Sequence, residues 1–157
     1  MSNLQKHPLS QKETREFLSK LKDIYGLNIT AEKVEVGKEK RNVYYFIDGK
    51  LSFVEDGLIP TLCFLQEHEI KLPFVVVDEG AVKAVARGAD LYAPGVLEVQ
   101  GTLDTGKLLL VKAKQGQIIA VMRISEGAEE AMRNKKGKIA SNVHYIGDDL
   151  WKMCRSR

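Results

Sequence analysis

The stretch Val75-Val76-Val77-Asp78-Glu79-Gly80-Ala81-Val82-Lys83-Ala84-Val85-Ala86-Arg87-Gly88-Ala89-Asp90-Leu91-Tyr92-Ala93-Pro94-Gly95-Val96 decides the fold of this chain. Phe74 to Val77 is a continuous apolar run, the pattern of a buried strand. Asp78 is a natural N-cap, because its carboxylate can accept from the free backbone N–H groups of a first helical turn. Gly80 is expected to permit a close backbone approach. In the helix that follows, Val82, Val85 and Ala86 are expected to face inward, with Lys83 and Arg87, four apart, on the exposed face. Gly88 ends that helix. Leu91 and Tyr92 open a second strand, which Ala93-Pro94-Gly95 bends.

Downstream, Val96–Gln100, Leu108–Ala113 and Gln117–Ile124 read as further strands, the last two joined tightly at Lys114-Gln115-Gly116. Ser125 is placed to cap a short helix, Glu126 to Arg133, whose acidic start suits the positive end of the helix dipole. A basic run, Arg133, Lys135, Lys136 and Lys138, leads into a final strand containing Val143-His144-Tyr145-Ile146. Asp148 and Asp149 are adjacent, so their side chains diverge, and they read as a turn or cap, with Trp151 as a closing anchor. Short strands, short helices and close glycine punctuation describe a small, mostly antiparallel barrel. Its boundary falls at Lys71-Leu72-Pro73, so residues 73–157 form one domain and residues 1–72 another.

The first domain reads as an α+β layer. Ser10 and Glu13 have capping-box spacing, and Phe17, Leu18, Leu21, Ile24 and Tyr25 make an apolar stripe that ends at Gly26. The charge-rich stretch Thr30–Arg41 reads as a solvated strand or loop. Asn42–Ile47 and Lys50–Val54 flank Asp48-Gly49, a hairpin signal because both turn residues tolerate positive φ. Leu58–Leu65 reads as an apolar helical turn with Pro60 near its first position.

Charge is distributed unevenly. Residues 1–72 carry 11 basic and 11 acidic side chains and residues 73–157 carry 13 and 10, so the whole formal excess of +3 lies in the second domain. A basic bias on one domain suits a nucleic-acid surface. Cys63 and Cys154 have no CxxC spacing and are expected to be a buried thiol and a tail thiol, with no disulfide in a cytoplasmic protein. No apolar run approaches the roughly 18 residues of a membrane span, and Met1-Ser2-Asn3-Leu4-Gln5-Lys6 does not resemble a signal peptide. A cytoplasmic protein with no membrane contact is expected.

Catalytic chemistry finds no constellation. Gly101 to Lys107 has the G-x4-G-K spacing of a phosphate loop. Leu108-Leu109-Leu110-Val111 follows where the motif needs Ser or Thr and then a helix, so the segment reads as a β-turn. His7, His68 and His144 show no zinc-ligand spacing, and there is no nucleophile elbow. No metal, cofactor or enzymatic activity is expected. A phosphate-binding surface has better support: Lys83 and Arg87 share one face, Gly88-Ala89 and Pro94-Gly95 leave backbone amides uncrowded, and Tyr92 is placed to stack on a base.

Asp78 to Val96 closely resembles the signature of the PUA domain, the RNA-binding module named for pseudouridine synthases and archaeosine transglycosylases. Ile59-Pro60-Thr61-Leu62, Lys136-Gly137-Lys138-Ile139, Val143-His144-Tyr145 and Asp149-Leu150-Trp151 extend the likeness to the malignant T-cell amplified sequence family, in which a small pre-PUA domain precedes the PUA domain. The compact Val96–Lys107 region resembles the family's archaeal members. The resemblance implies an α+β fold, a pre-PUA domain followed by a PUA pseudobarrel. It also implies a non-catalytic role in translation, contacting tRNA or small-subunit ribosomal RNA, with a translation-factor partner (a density-regulated protein in eukaryotic members). An accessory subunit that positions RNA for a tRNA- or rRNA-modifying enzyme is the alternative. Carried onto this chain, the family's RNA grip falls on Lys83, Arg87, Gly88, Ala89, Tyr92, Pro94 and Gly95, with Lys138, Ser141 and His144 from the last strand.

Overall fold

The computed structural model describes residues 4–55 and 57–156. Residues 1–3, on which part of the N-terminal reading rests, lie outside the described residues. The chain divides into two compact units, one of Met1–Lys71 with Met153–Arg157, the other Leu72–Lys152. The expected boundary near Pro73 therefore needs one correction: the chain's last residues group with the first unit.

In the first unit, strands β1 (Lys6–Pro8), β2 (Val34–Glu39), β3 (Asn42–Ile47), β4 (Lys50–Val54) and β5 (Ile59–Pro60) form one antiparallel sheet in sequence order. Helix α1 (Gln11–Tyr25) begins at a capping box. The Ser10 hydroxyl accepts from the Glu13 N–H at 3.0 Å and the Glu13 carboxylate accepts from the Ser10 N–H at 3.0 Å. The helix ends at Gly26, in the left-handed region at φ 68°. Phe17, Leu21 and Tyr25 are buried. Phe17 stacks on Tyr45 with ring centroids 4.9 Å apart and meets Phe53 edge-on at 6.2 Å. Ile24, expected in that stripe, is 54% exposed. Asp48 and Gly49 both have positive φ, 48° and 84°, as the tight hairpin requires.

Two expectations for this unit are corrected. Pro60 is not in the helix: it pairs with Phe53 at the sheet edge, where its missing N–H is harmless. Buried Thr61 is the N-cap of α2 (Leu62–Glu67), its hydroxyl accepting from the Phe64 N–H and donating to the Leu51 carbonyl. The cysteines are not free thiols either, since Cys63 and Cys154 form a disulfide with Cα atoms 6.0 Å apart. Their separation of 91 residues hid a pairing that only the fold creates.

The second unit is built on a sheet of order β7-β11-β10-β9-β6-β8. Its strands are β6 (Phe74–Val77), β7 (Leu91–Tyr92), β8 (Val96–Gln100), β9 (Leu108–Lys112), β10 (Ile118–Ile124) and β11 (Lys138–Tyr145). All pairings are antiparallel except β6 with β9. This mostly antiparallel sheet is the small barrel-like fold expected from the sequence. Its core holds Val75, Val77, Val85, Leu91, Val111, Met122 and Ile139. Helix α3 (Glu79–Val85) follows β6, and Asp78 accepts from the Ala81 N–H at 2.8 Å as the expected N-cap. Helix α4 (Ala128–Asn134) starts later than expected and has Gly127, not Ser125, as its N-cap, with no side-chain cap bond. The Gly101–Lys107 segment is a loop leading into β9, not a helix start. Helix α5 (Asp149–Arg155) closes the chain. No helix among the described residues is long and apolar enough to cross a membrane.

Candidate nucleic-acid interface

The site is assembled from the end of α3, β7, the 3-10 turn Ala93–Gly95 and the start of β11. The regular part of α3 stops at Val85, and the next residues tighten into a closing turn: Gly88 N–H donates to the Val85 carbonyl at 2.9 Å and Ala89 N–H to the Ala84 carbonyl at 3.1 Å. Those two bonds make a Schellman closure, with Gly88 at φ 93° in the left-handed position. Lys83 and Arg87 are both exposed, as expected, although Arg87 lies in the closing turn and not in the regular helix; Ala86, expected inside, is exposed as well.

The same geometry revises the role of the backbone. The N–H groups of Gly88 and Ala89 are committed to the closing turn, so neither is left for a phosphate. Gly95 serves packing. A Cβ at that position would lie 2.9 Å from the Ala81 Cβ, and its carbonyl accepts from the Asp78 N–H at 3.0 Å. The close approach assigned by sequence to Gly80 thus occurs at Gly95; at Gly80 an added Cβ would meet only an Asp78 oxygen at 3.5 Å. Pro94 is exposed beside it.

Strands β7 and β11 bring Tyr92 and Lys138 together as Cα partners. Tyr92, in β7, is a 52% exposed aromatic residue. The Lys138 ammonium lies 3.1 Å from an Asp90 carboxylate oxygen. The Asn142 N–H, donating to Asp90 at 2.8 Å, holds that carboxyl below the usual carboxylate range against the opposing effect of burial, and Lys138 adds to it. Asp90 is therefore charged at neutral pH and neutralises Lys138 locally. Exposed Lys135 and Lys136 precede β11, and the Gly137 carbonyl accepts from the Ala93 N–H at 2.9 Å, which draws this basic segment alongside β7.

The remaining β11 residues separate. Ser141 is half-buried opposite Arg123 of β10. His144 is 0% exposed, which corrects its assignment as an RNA contact. Its Nδ1–H donates to Asp148 at 2.9 Å; since an ionised carboxylate only accepts, the proton sits on that nitrogen. Asp148 also accepts from the Trp151 N–H at 2.7 Å and the Tyr145 N–H at 2.9 Å, which makes it the cap at the start of α5. Burial acts to raise the Asp148 carboxyl, but these bonds and His144 together hold it below its ordinary range.

Two residues at the site escaped the sequence reading. Asn142 donates its side-chain amide to the carbonyls of Ala89, at 2.9 Å, and Val85, at 3.3 Å, tying the α3–β7 turn to β11. Asp90 orients Lys138. An Asn in the last strand and an Asp before a strand carry no motif, so only the pairing of β7 with β11 reveals them.

Two family models divide the chain in the same place as the fold: a domain of unknown function (DUF1947) matches residues 5–68 and the PUA domain matches residues 73–146. The solved structure of a conserved PUA domain protein from Thermoplasma acidophilum superposes with a TM-score of 0.81 at 34% identity, covering 96% of this chain and 99% of that one. Malignant T-cell-amplified sequence 1 from Rattus norvegicus is 34% identical over 116 residues, 68% of this chain and 63% of its own length. The chain belongs to the PUA-domain proteins of the malignant T-cell-amplified sequence family. Translation machinery-associated protein 20 of Saccharomyces cerevisiae is 30% identical over 116 residues, 68% of this chain and 64% of that protein. The chain thus spans a little under two thirds of the length of these two curated relatives. The PUA domain is an RNA-binding module, and relatives of this chain are named for association with the translation machinery.

Proposed function

We propose that this chain is a non-catalytic RNA-binding protein of the translation apparatus, acting in the cytoplasm on tRNA or on the RNA of the small ribosomal subunit. In this reading Lys83 and Arg87 contact phosphates, while Tyr92 offers its face to a base. The observation that carries it is the exposure of the Tyr92 ring on β7, beside the basic segment leading to Lys138, within the unit matched by the PUA model. The expected grip through Gly88 and Ala89 amides gives way to one through side-chain cations, because the closing turn uses those amides. A protein partner within the ribosomal complex is part of the same reading, supported by the relatives' names.

The test is a salt titration of binding to a tRNA transcript, with wild-type protein and the double variant Lys83→Glu/Arg87→Glu. Affinity should fall log-linearly with salt, and each lost phosphate contact should reduce the slope by about 0.7–0.9. Charge reversal should weaken binding at least about tenfold at low salt. Equal affinity for the two proteins would overturn the assignment of these cations.

A further inference from the structure

Asp90, Tyr92 and Lys138 form one cluster. Asp90 immediately precedes β7 and Tyr92 lies in it, on either side of buried Leu91 in the chain. Lys138 is the Cα partner of Tyr92 and bridges to Asp90 at 3.1 Å. Neither member of the pair is sealed: their side chains are 39% and 35% exposed. A phosphate approaching this lysine meets a carboxylate in the same place, so the cluster is a poor anion site. It is well suited to a planar, neutral group with a donor and an acceptor side by side. The ammonium has three donors and spends one on Asp90, and the carboxylate oxygens keep unused lone pairs. The Watson–Crick edge of an unpaired base supplies the complementary pair of groups.

We propose that Asp90, Tyr92 and Lys138 form a subsite for an unpaired nucleobase, which stacks on Tyr92 and is read along its edge by the Asp90–Lys138 pair. The subsite rests on the RNA-binding reading above and divides the surface in two. Lys83 and Arg87 hold phosphates and set the salt dependence; Asp90 and Lys138 select for a base and contribute little to it. Asp90 becomes a specificity determinant, a role with no counterpart in the sequence-derived site.

Binding is to be measured at several salt concentrations with 12-nucleotide oligoadenylate, oligocytidylate and oligouridylate, and with an abasic ribose-phosphate strand of the same length. Wild-type protein should bind at least one base-bearing strand about tenfold more tightly than the abasic strand. Tyr92→Ala should reduce that ratio to about two. Asp90→Asn keeps an oxygen for the Asn142 N–H; it should lower the ratio and raise affinity for the abasic strand, because Lys138 is released. Lys138→Ala should weaken base-bearing strands without reducing the salt slope. Equal wild-type affinity for abasic and base-bearing strands would overturn the subsite, as would a slope reduced by about 0.7 in Lys138→Ala, the mark of a phosphate contact. Failure of the wild type to bind any strand would instead contradict the RNA-binding reading itself.

Discussion

The side-chain amide of Asn142 donates to the main-chain carbonyl of Ala89 at 2.9 Å, joining two residues 53 apart in sequence. The bond fixes the turn that presents Arg87, because the same amide also reaches the Val85 carbonyl. Asn142→Ala should cost about 1–2 kcal/mol of stability, the scale of a part-buried hydrogen bond lost from the Ala89 carbonyl, while the Val85 carbonyl keeps the Gly88 N–H. Asn142→Asp should cost more, since it sets a carboxylate against two carbonyl oxygens. Chemical denaturation gives the stabilities, and hydrogen exchange at Gly88 and Ala89 should accelerate in both variants. Unchanged exchange there would contradict the clamp.

The contact between Gly95 and Ala81 is the tightest glycine approach in the second unit, with an added Cβ only 2.9 Å from the Ala81 Cβ. Gly95→Ala should destabilise the protein by about 1–3 kcal/mol through overpacking. Adding Ala81→Gly should recover part of that loss, beyond the helix-propensity cost of glycine, which is about 1 kcal/mol. Additive losses in the double variant, measured by thermal denaturation, would show that the two positions do not press on each other.

Asp148 links pH to stability. Its carboxyl is held below the ordinary value of 3.8, so its contribution is complete above that value and is lost as pH falls through the lower folded-state value. Asp148→Asn should lose about 1–3 kcal/mol at pH 7, where a charged cap and its three bonds are weakened. Between pH 4 and 2 the variant should lose less further stability than the wild type. Parallel curves for the two proteins in that range, from denaturant midpoints, would contradict the linkage.

The Cys63–Cys154 disulfide closes a long loop, its ends 91 residues apart. Reduction should lower the stability of the first unit by about 2–4 kcal/mol, mainly by freeing the unfolded chain. Cys154→Ser in oxidising buffer should unfold like the reduced wild type. A thermal midpoint unmoved by reductant would contradict a structural bond.

The devices legible in sequence are local ones. Ser10 with Glu13, Asp48 with Gly49, and Asp78 before α3 act within a few residues, and each cap or turn forms as read. Lys83, Arg87 and Tyr92 were legible because the structure exposes them on short elements whose pattern is strong. What sequence could not supply is the outcome of long-range pairing. Lys138 reads as a surface cation, but the fold sets Asp90 against it, and His144 reads as open, but the fold buries it completely. Pro60 read as a helix start because the pairing of Ile59 and Pro60 with β4 leaves no local mark. The disulfide was hidden for the same reason, as its two cysteines meet only through the fold.

The central claim, that RNA is held at the α3–β7 turn and the start of β11, is tested most directly by photo-crosslinking the intact chain to RNA bound in a cell extract. The linked peptides are then identified by mass spectrometry. The account predicts that crosslinks concentrate on the peptides containing Tyr92 and Lys138, and that Tyr92→Ala removes the first of these. Crosslinks confined to the first unit, for instance at Lys40 and Arg41 in the β2–β3 hairpin, would contradict it.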